Sequence, residues 1–211
     1  MVGTMPRRLS DLRIGFDLDN TLISYDRLFF EAAVEQRFIP GDFLGTKRDI
    51  RDRIRLLPDG EMAWQRLQAD VYGHGVARAL PVEGALEFAK HARRRGATLA
   101  IISHKSMYAN VGTTDVNLRD AARAWLLKSG LVGAEAVPEE NLFFEGTRAE
   151  KIARIISFGC THFIDDLEEV FNDPAFPQGV ERLLFSAVRT VPSVPYRTYA
   201  TFQEIADAFA D

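Results

Sequence analysis

The chain has 211 residues, of which 46% are hydrophobic and 27% charged, and its formal net charge is −4. These values are typical of a soluble globule with room for one substantial α/β domain, and they give no global attraction to nucleic acid or anionic lipid. The single cysteine, Cys160, excludes an internal disulfide, and neither a membrane-spanning apolar run nor a secretory signal is apparent. We therefore expect a cytoplasmic protein without nucleic-acid or membrane partners, and its oligomeric state stays open.

Four short apolar segments predict buried strands, at residues 12–16, 98–103, 161–164 and 180–186. The segment LAIIS has no alternating polar positions, which is typical of a strand covered on both faces in a parallel sheet. Helical patterns separate the strands: EGALEFAKHARRRG, LRDAARAWLLKSG, TRAEKIARIISFG and a last helix after residue 201. This alternation predicts βαβ units with right-handed crossovers.

Residues 24–80 interrupt the alternation. They contain no convincing strand, and their patterns are helical: DRLFFEAAVEQRF, KRDIRDRIRLL and EMAWQRLQADVYGHGVARAL. An insert of this kind after the first strand predicts a small helical subdomain.

Polar side chains follow three of the predicted strands, where ligands bind in open parallel sheets. The acids and the hydroxyl at these strand ends are Asp17, Asp19, Ser103, Asp165 and Asp166. Lys151 lies in the first turn of the helix that leads to the third of these strands. Carboxylates from two strands, together with a hydroxyl and an ammonium group, indicate a site.

A divalent cation would explain why acids are held so close together. Mg²⁺ prefers carboxylate, water and phosphate oxygens, and it removes the repulsion between neighbouring carboxylates. An ionised Asp17 can then attack phosphorus and form an aspartyl-phosphate, while Asp19 protonates the leaving alkoxide and later takes a proton from water. Ser103 and Lys151 can bind the transferring phosphoryl oxygens.

The motifs resemble those of the haloacid dehalogenase (HAD) superfamily, in particular its Mg²⁺-dependent phosphatases. RIGFDLDNTL is similar to the family's strand followed by DxDxT, and LAIIS to its strand ending in Ser or Thr. Lys151 corresponds to the lysine of the third motif, and FIDDLEEV to the acidic fourth motif in its DD form. The four motifs occur in the family's order between residues 12 and 170.

This resemblance implies a Rossmann-like α/β core, with helices on both faces of the sheet, formed by residues 1–23 and 81–211. Residues 24–80 would then be a small helical cap of the C1 type, which covers the site and screens substrates. The implied activity is hydrolysis of a small phosphorylated metabolite with Mg²⁺ as cofactor. Sugar phosphates, nucleotides and phospho-acids all remain open as substrates.

The resemblance also implies roles for individual residues. Asp17 would be the nucleophile and a metal ligand, and Asp19 the general acid/base, with its backbone carbonyl on the metal. Thr21 would brace the loop. Of the acidic pair, Asp166 is the preferred direct metal ligand, while Asp165 would act through water or orient Lys151.

Other residues are weaker candidates. His104 and Lys105 could bind substrate from the rim of the site, although solvated surface positions explain them equally well. Tyr25 and Arg27, close to the first motif, are candidates for substrate contact. Three cap arginines at helical spacing are interpreted as a solvated face rather than an anion clamp: Arg48, Arg51 and Arg55.

Three alternatives to a phosphohydrolase remain. A phosphomutase would use the same aspartates and return the phosphoryl group to a sugar. A dehalogenase would need neither the metal nor the second aspartate of DxD, so Asp19 favours phosphoryl transfer. A non-catalytic binding or regulatory protein on the same fold would have no need to keep Asp19 and the acidic pair.

Overall fold

The computed structural model describes residues 11–112, 115–186 and 196–209, so most of the basic N-terminal stretch lies outside the described residues. Its main sheet has six parallel strands in the order β5-β4-β1-β6-β7-β8. They are β1 (Arg13–Phe16), β4 (Thr98–His104), β5 (Leu142–Glu145), β6 (His162–Asp165), β7 (Glu181–Phe185) and β8 (Arg197–Tyr199). A separate antiparallel pair is formed by β2 (Ile23–Ser24) and β3 (Leu80–Pro81).

The predicted α/β parallel sheet is confirmed, and the four predicted strands correspond to β1, β4, β6 and β7. The edge strands β5 and β8 were not predicted. Leu142–Glu145 has only one fully buried position, and Arg197–Tyr199 has none. Strands at the edge of a sheet therefore lacked the continuous apolar run by which the central strands were recognised.

Eight α-helices are described, and each predicted helical segment contains at least one of them. They are α1 (Asp26–Glu35), α2 (Lys47–Arg55), α3 (Gly60–Tyr72), α4 (Ala85–Arg94), α5 (Leu118–Ser129), α6 (Arg148–Phe158), α7 (Glu168–Phe171) and α8 (Phe202–Ala208). Helix α6 begins at an N-cap, Thr147, whose hydroxyl accepts from Glu150 N, and it ends at Gly159 in the left-handed region with φ 74°. Among the described residues, no helix has the length and apolar character needed to cross a membrane.

Alternate residues of the central strands enter two apolar clusters, one on each face of the sheet. Leu99 and Ile101 of β4 pack in the cluster that includes α4, α5 and α8, whereas Ala100 and Ile102 pack with α6 and α7. Because both faces are covered, the central strands are apolar throughout, and their polar residues are confined to the strand ends.

The segment from Asp26 to Arg78, here called the cap segment, contains α1, α2, α3 and a 3₁₀ turn at His74–Arg78. The short β2–β3 pair joins its two ends, with Ser24 opposite Leu80. Two-residue strands are too short to produce a sequence period, which is why no strand was expected here. The interior of the cap segment is continuous with one face of the sheet, since Phe29 and Trp64 belong to the same buried cluster as Phe16.

Gly15 in the middle of β1 makes room for the aromatic ring of its partner in β6. A Cβ atom at Gly15 would lie 2.5 Å from Phe163 Cδ2 and 2.9 Å from Cys160 Sγ. Phe163 in turn lies under Lys151, whose Nζ is 5.5 Å from the ring centroid. Close packing at this point therefore reaches from the central strand to the polar end of the sheet.

We expect Gly15→Ala to lower the free energy of unfolding by about 1–3 kcal/mol, because neither ring nor strand has space for the added methyl group. The matched control is Gly41→Ala, where nothing lies within 4 Å of the added Cβ. That variant should unfold at the wild-type denaturant concentration or be up to about 1 kcal/mol more stable. Equal unfolding midpoints for the two variants would show that the packing described at Gly15 is wrong.

Candidate active site

The loop after β1 projects a series of polar residues from the end of the central strand. Asp17 N donates to Ile164 O at 2.8 Å, which continues the pairing of β1 with β6 to this residue. The carbonyl of Leu18 then accepts from Leu22 N at 2.9 Å, and the chain turns through Asn20 with φ 61°. Asparagine tolerates this left-handed conformation better than most residues. The turn keeps Asp17 and Asp19 at one end of the sheet.

Lys151 is the central cation of the site. Its Nζ donates to Asp17 Oδ1 at 2.7 Å and to Asp165 Oδ2 at 2.6 Å, and all three side chains are buried. Burial by itself would lower the pKa of Lys151, but the Asp17 and Asp165 carboxylates outweigh it and raise that pKa. Lys151 is therefore a permanent positive charge between two strands.

The three acids Asp17, Asp165 and Asp166 each present a ligand atom within 4.8 Å of the others. Burial raises the pKa of Asp17, and it raises that of Asp165 to about 7, in both cases against the opposing charge of Lys151. Burial, followed by the charges of Asp17 and Asp165, raises the pKa of Asp166 to about 8. The cluster thus resists full ionisation when no cation is bound to it.

The two acids of the DD pair have different surroundings. Asp165 is fully buried, and both its oxygens are engaged, one by Lys151 and the other by Leu167 N at 3.0 Å. Asp166 is partly exposed, and its Oδ2 accepts from Asn20 Nδ2 at 3.3 Å.

Asp19 belongs to a second ionic group beside the first. Lys105 Nζ donates to both Asp19 oxygens, at 3.0 and 2.8 Å, and the Tyr25 hydroxyl donates to Asp19 Oδ1 at 2.8 Å. Lys105 is 5% exposed, so it is a buried ion-pair partner rather than the solvated rim residue that was the alternative. Burial and the negative charge of Asp19 hold the pKa of Tyr25 well above its ordinary value. The Tyr25 hydroxyl therefore keeps its proton and remains a hydrogen-bond donor.

Two buried hydroxyls have no hydrogen-bond partner in the described part of the chain: Ser103 Oγ and Thr21 Oγ1. Buried hydroxyls are nearly always paired, so an unpaired one at a site indicates a missing ligand. Ser103 meets that description, because it lines the cleft. Thr21 does not line it, and its hydroxyl makes no hydrogen bond that would brace the loop. His104 is exposed, with Nε2 3.1 Å from Gly146 O.

A cleft of about 520 Å³ opens at this end of the sheet, which is within the size range of small-molecule sites. Its lining comprises Asp17, Asp19, Asn20, Tyr72, Ser103, His104, Arg148, Lys151, Asp166, Leu167, Glu169 and Val170. Six of these were predicted from the sequence as site residues. Asp165 and Lys105 lie behind the lining and bind residues that form it.

The chemistry of these donors fits a hard divalent cation. Three carboxylates at this end of the sheet, Asp17, Asp19 and Asp165, have an ammonium group of Lys151 or Lys105 as ion-pair partner, whereas Asp166 has no such partner among the described residues. A cation bound among these carboxylates would reduce the repulsion between them. Carboxylate oxygens are also the ligands that Mg²⁺ prefers in proteins.

Sequence reasoning did not name the other six residues of the lining as site residues: Asn20, Tyr72, Arg148, Leu167, Glu169 and Val170. Asn20 has a signal of its own, since asparagine in a tight turn after a strand is suited to the left-handed region. Tyr72 lies at the end of α3, far along the chain, and no local pattern connects it to the site. In contrast, the candidate Arg27 is exposed and pairs with Glu31 at 2.6 Å on the surface of α1.

Solved structures of similar fold cover almost the whole chain, although no family model and no curated protein matches the sequence. A HAD-superfamily hydrolase from Ehrlichia chaffeensis aligns over 98% of each chain, with 15% identity and a TM-score of 0.55. A HAD family hydrolase from Deinococcus radiodurans, solved with bound phosphate and sodium, aligns over 94% of each chain, with 16% identity and a TM-score of 0.57. The chain has the HAD-like fold.

The same fold also carries a protein with a different name. Protein Tyrosine Kinase A from Mycobacterium tuberculosis aligns over 95% of this chain and 99% of its own, with 16% identity and a TM-score of 0.59. Proteins named as hydrolases and one named as a kinase therefore share this fold, and function has to be argued from the site.

The crowded carboxylates predict an unusual pH dependence of stability for the metal-free protein. The pKa of Asp166 is raised from 3.8 to about 8 on folding, so between these values the folded protein binds more protons than the unfolded one. Stability should therefore fall as the pH rises from 5 to 8. Asp166→Asn removes this group, and at pH 8 in EDTA we expect it to raise the free energy of unfolding by at least about 1 kcal/mol, or the melting temperature by roughly 2–4 °C.

The difference between wild type and Asp166→Asn should disappear near pH 5, where the wild-type carboxyl is protonated in the folded state. Asp207→Asn, at an exposed position on α8, is the control and should change neither curve. Added Mg²⁺ should raise the melting temperature of the wild type more than that of Asp166→Asn. A variant less stable than wild type at pH 8 in EDTA would contradict the assignment of repulsion to this cluster.

Proposed function

We propose that this protein is a HAD-type, Mg²⁺-dependent phosphohydrolase that acts on a small phosphomonoester through an aspartyl-phosphate. The observation that carries the proposal is the convergence of Asp17, Asp166 and Lys151 on one cleft that also contains the unpaired hydroxyl of Ser103. An anion with several acceptor oxygens, such as a phosphoryl group, satisfies that hydroxyl and the Lys151 ammonium together. The Deinococcus relative with bound phosphate supports the same ligand class.

In the first half of the reaction, Asp17 forms a bond to phosphorus while the bond from phosphorus to the ester oxygen breaks. Lys151 keeps Asp17 oriented through the bond to Oδ1 and, with Ser103, binds the phosphoryl oxygens. Asp19 gives a proton to the departing alkoxide, so that the first product leaves as an alcohol. When bound, Mg²⁺ supplies charge neutralisation for the phosphoryl oxygens and the carboxylates.

In the second half, Asp19 takes a proton from water, the water oxygen bonds to phosphorus, and Asp17 is released with inorganic phosphate. Both Asp19 oxygens are held by Lys105, and one of them also by Tyr25. A protonated Asp19 has only one oxygen left that is a strong hydrogen-bond acceptor. The hydrogen bonds from Lys105 and Tyr25 must therefore rearrange before the proton is transferred. Because Tyr25 immediately precedes α1, the first helix of the cap segment, we propose that cap movement accompanies that rearrangement.

Asp166 is the proposed direct metal ligand, with Asp17 and the Asp19 carbonyl. The support is that Asp166 lines the cleft and has one weak side-chain donor, whereas both Asp165 oxygens are already occupied. Asp165 is accordingly proposed to orient Lys151. Residues 24–80 are proposed to act as the cap, since Tyr72 from this segment lines the cleft together with the core acids.

Asp17→Asn should reduce the release of p-nitrophenol from p-nitrophenyl phosphate by at least about a thousandfold, as expected for loss of a covalent nucleophile. The fold should be retained, because the amide is the same size and removes a buried carboxylate whose pKa burial raises. Far-UV circular dichroism and the melting temperature check this. Asp207→Asn is again the control and should keep wild-type turnover, and EDTA should abolish turnover in the wild type.

The same assays separate the alternatives. A phosphomutase would give isomerised sugar phosphate rather than inorganic phosphate, and a dehalogenase would be indifferent to EDTA. A non-catalytic protein would hydrolyse no member of a broad phosphate-ester panel while still being stabilised by Mg²⁺. Wild-type turnover in Asp17→Asn would end the proposal of a covalent phosphohydrolase.

A further inference from the structure

The cap segment places an ammonium group beside the cleft. Lys47 is the first residue of α2, and its Nζ donates to the Tyr72 hydroxyl at 2.8 Å. The same Nζ lies 4.4 Å from the centroid of the Phe29 ring, so the side chain is held between two aromatic residues. Tyr72 lines the cleft that also contains Asp17. Lys47 is therefore one hydrogen bond away from a residue that lines the proposed active site, on the side of the cap segment.

This ammonium group lacks an ion-pair partner among the described residues. Within residues 11–112, 115–186 and 196–209, no carboxylate oxygen lies within 4.0 Å of Lys47 Nζ. Two other cations of α2 do have such partners, Arg51 with Asp52 at 2.7 Å and Arg55 with Glu61 at 2.6 Å. The N-terminus of a helix also disfavours a cation. The stability of α2 therefore does not explain a lysine at this position.

The electrostatic surroundings of Lys47 connect it to the site. Burial lowers the pKa of Lys47, while Asp19, Asp166 and Asp26 act in the opposite direction. Two acids of the proposed active site are thus close enough to influence it. A partly desolvated ammonium group attracts an additional anion more strongly than one in bulk water.

Tyr72 adds a second donor at the same point. Its oxygen accepts a hydrogen bond from Lys47 Nζ, and its own O–H donates to no acceptor among the described residues. Burial raises the pKa of Tyr72, so the hydroxyl keeps its proton. An ammonium group and a phenol that are hydrogen-bonded to each other can donate together to one carboxylate or phosphate.

We infer that Lys47 and Tyr72 form a subsite for a second anionic group of the substrate, apart from the phosphoryl group bound at Asp17. This inference rests on the proposed function and narrows its substrate class. Phosphorylated acids and bisphosphates should be preferred over phosphate esters of neutral alcohols. The cleft of about 520 Å³ has room for a small metabolite that carries both groups.

Binding affinities for two matched ligand pairs test the subsite. The pairs are 3-phosphoglycerate with glycerol 3-phosphate, and glucose 1,6-bisphosphate with glucose 6-phosphate. Calorimetric titration in Mg²⁺ uses an Asp17→Asn background, so that bound esters persist. We expect the ligand with the second anion to bind about tenfold to a hundredfold more tightly in at least one pair, the range for hydrogen bonds to a charged group. The responding pair identifies the anion as a carboxylate or a phosphate.

Added to that background, Lys47→Met should bring the ratio of affinities within the responding pair to about one, because it keeps an unbranched apolar chain over Phe29 and removes the charge. Lys47→Arg should restore part of the ratio, and Tyr72→Phe should reduce it. Arg48→Met is the matched control, since it removes an exposed cation from the next position of α2 and should leave the ratio unchanged.

Two results would overturn the subsite. One is a ratio near one in both ligand pairs for the Asp17→Asn protein with Lys47 intact, and the other is a ratio that Lys47→Met leaves unchanged. A lysine that only packs against Phe29 and Tyr72 would give the second result together with a lower melting temperature. Failure of the proposed function is separate, because it would appear as absence of phosphate release by the wild type and would leave the binding ratios measurable.

Discussion

The ammonium group of Lys151 holds two buried carboxylates from different strands, and the polar end of the sheet depends on this arrangement. Asp17 and Asp165 are 5% and 0% exposed, and without Lys151 neither would have a cation beside it in the described structure. Removing one partner of a buried ion pair leaves an uncompensated charge, which is far more damaging than losing a surface pair. The contacts that fix the geometry of the site are therefore the same contacts that offset the cost of burying charged groups at this end of the sheet.

A single cation does not balance this cluster, and the proposed function depends on that imbalance. Asp166 adds a third carboxylate, with an oxygen within 4.8 Å of oxygens of Asp17 and Asp165. Burial and the charges of these two neighbours raise the pKa of Asp166 to about 8. Groups held against their ordinary protonation preference are typical of functional sites. Below the cluster, close packing extends from Gly15 through the Phe163 ring to Lys151, the cation that pairs with Asp17 and Asp165.

A second series of contacts joins the core to the cap segment. Lys105 and Tyr25 hold Asp19, the rings of Tyr25 and Tyr72 meet edge to face at 4.8 Å, and Lys47 donates to Tyr72. The proposed general acid, the start of the cap segment and the proposed second anion subsite are thus in direct contact. Binding of an anion at Lys47 and Tyr72 would therefore reach Asp19 through the ring contact of Tyr72 with Tyr25, whose hydroxyl donates to Asp19. This contact would connect the proposed selection of substrate to the proposed general acid.

Much of the core was predictable because its signals are local. The buried strands β1, β4 and β6 are continuous apolar runs, and the acids and hydroxyl that follow them are adjacent in sequence to those runs. Edge strands β5 and β8 escaped prediction, since each has at most one fully buried residue and no period to recognise. The role of Lys105 was left open for a similar reason: its burial depends on Asp19, which is 86 positions away.

The sequence by itself determined the parallel sheet and the identity of the acids at its carboxyl end. The reason is that each apolar run and the polar residues that follow it are adjacent in the sequence. Only the tertiary structure decided which oxygens are already occupied, and hence how Asp165 and Asp166 differ. It also brought Lys47 to Tyr72, 25 positions along the chain, in a segment where the sequence offered three arginines and no motif. Hydrogen bonds and charge compensation depend on distances across the fold, and the packing of α2 against α3 sets those distances here.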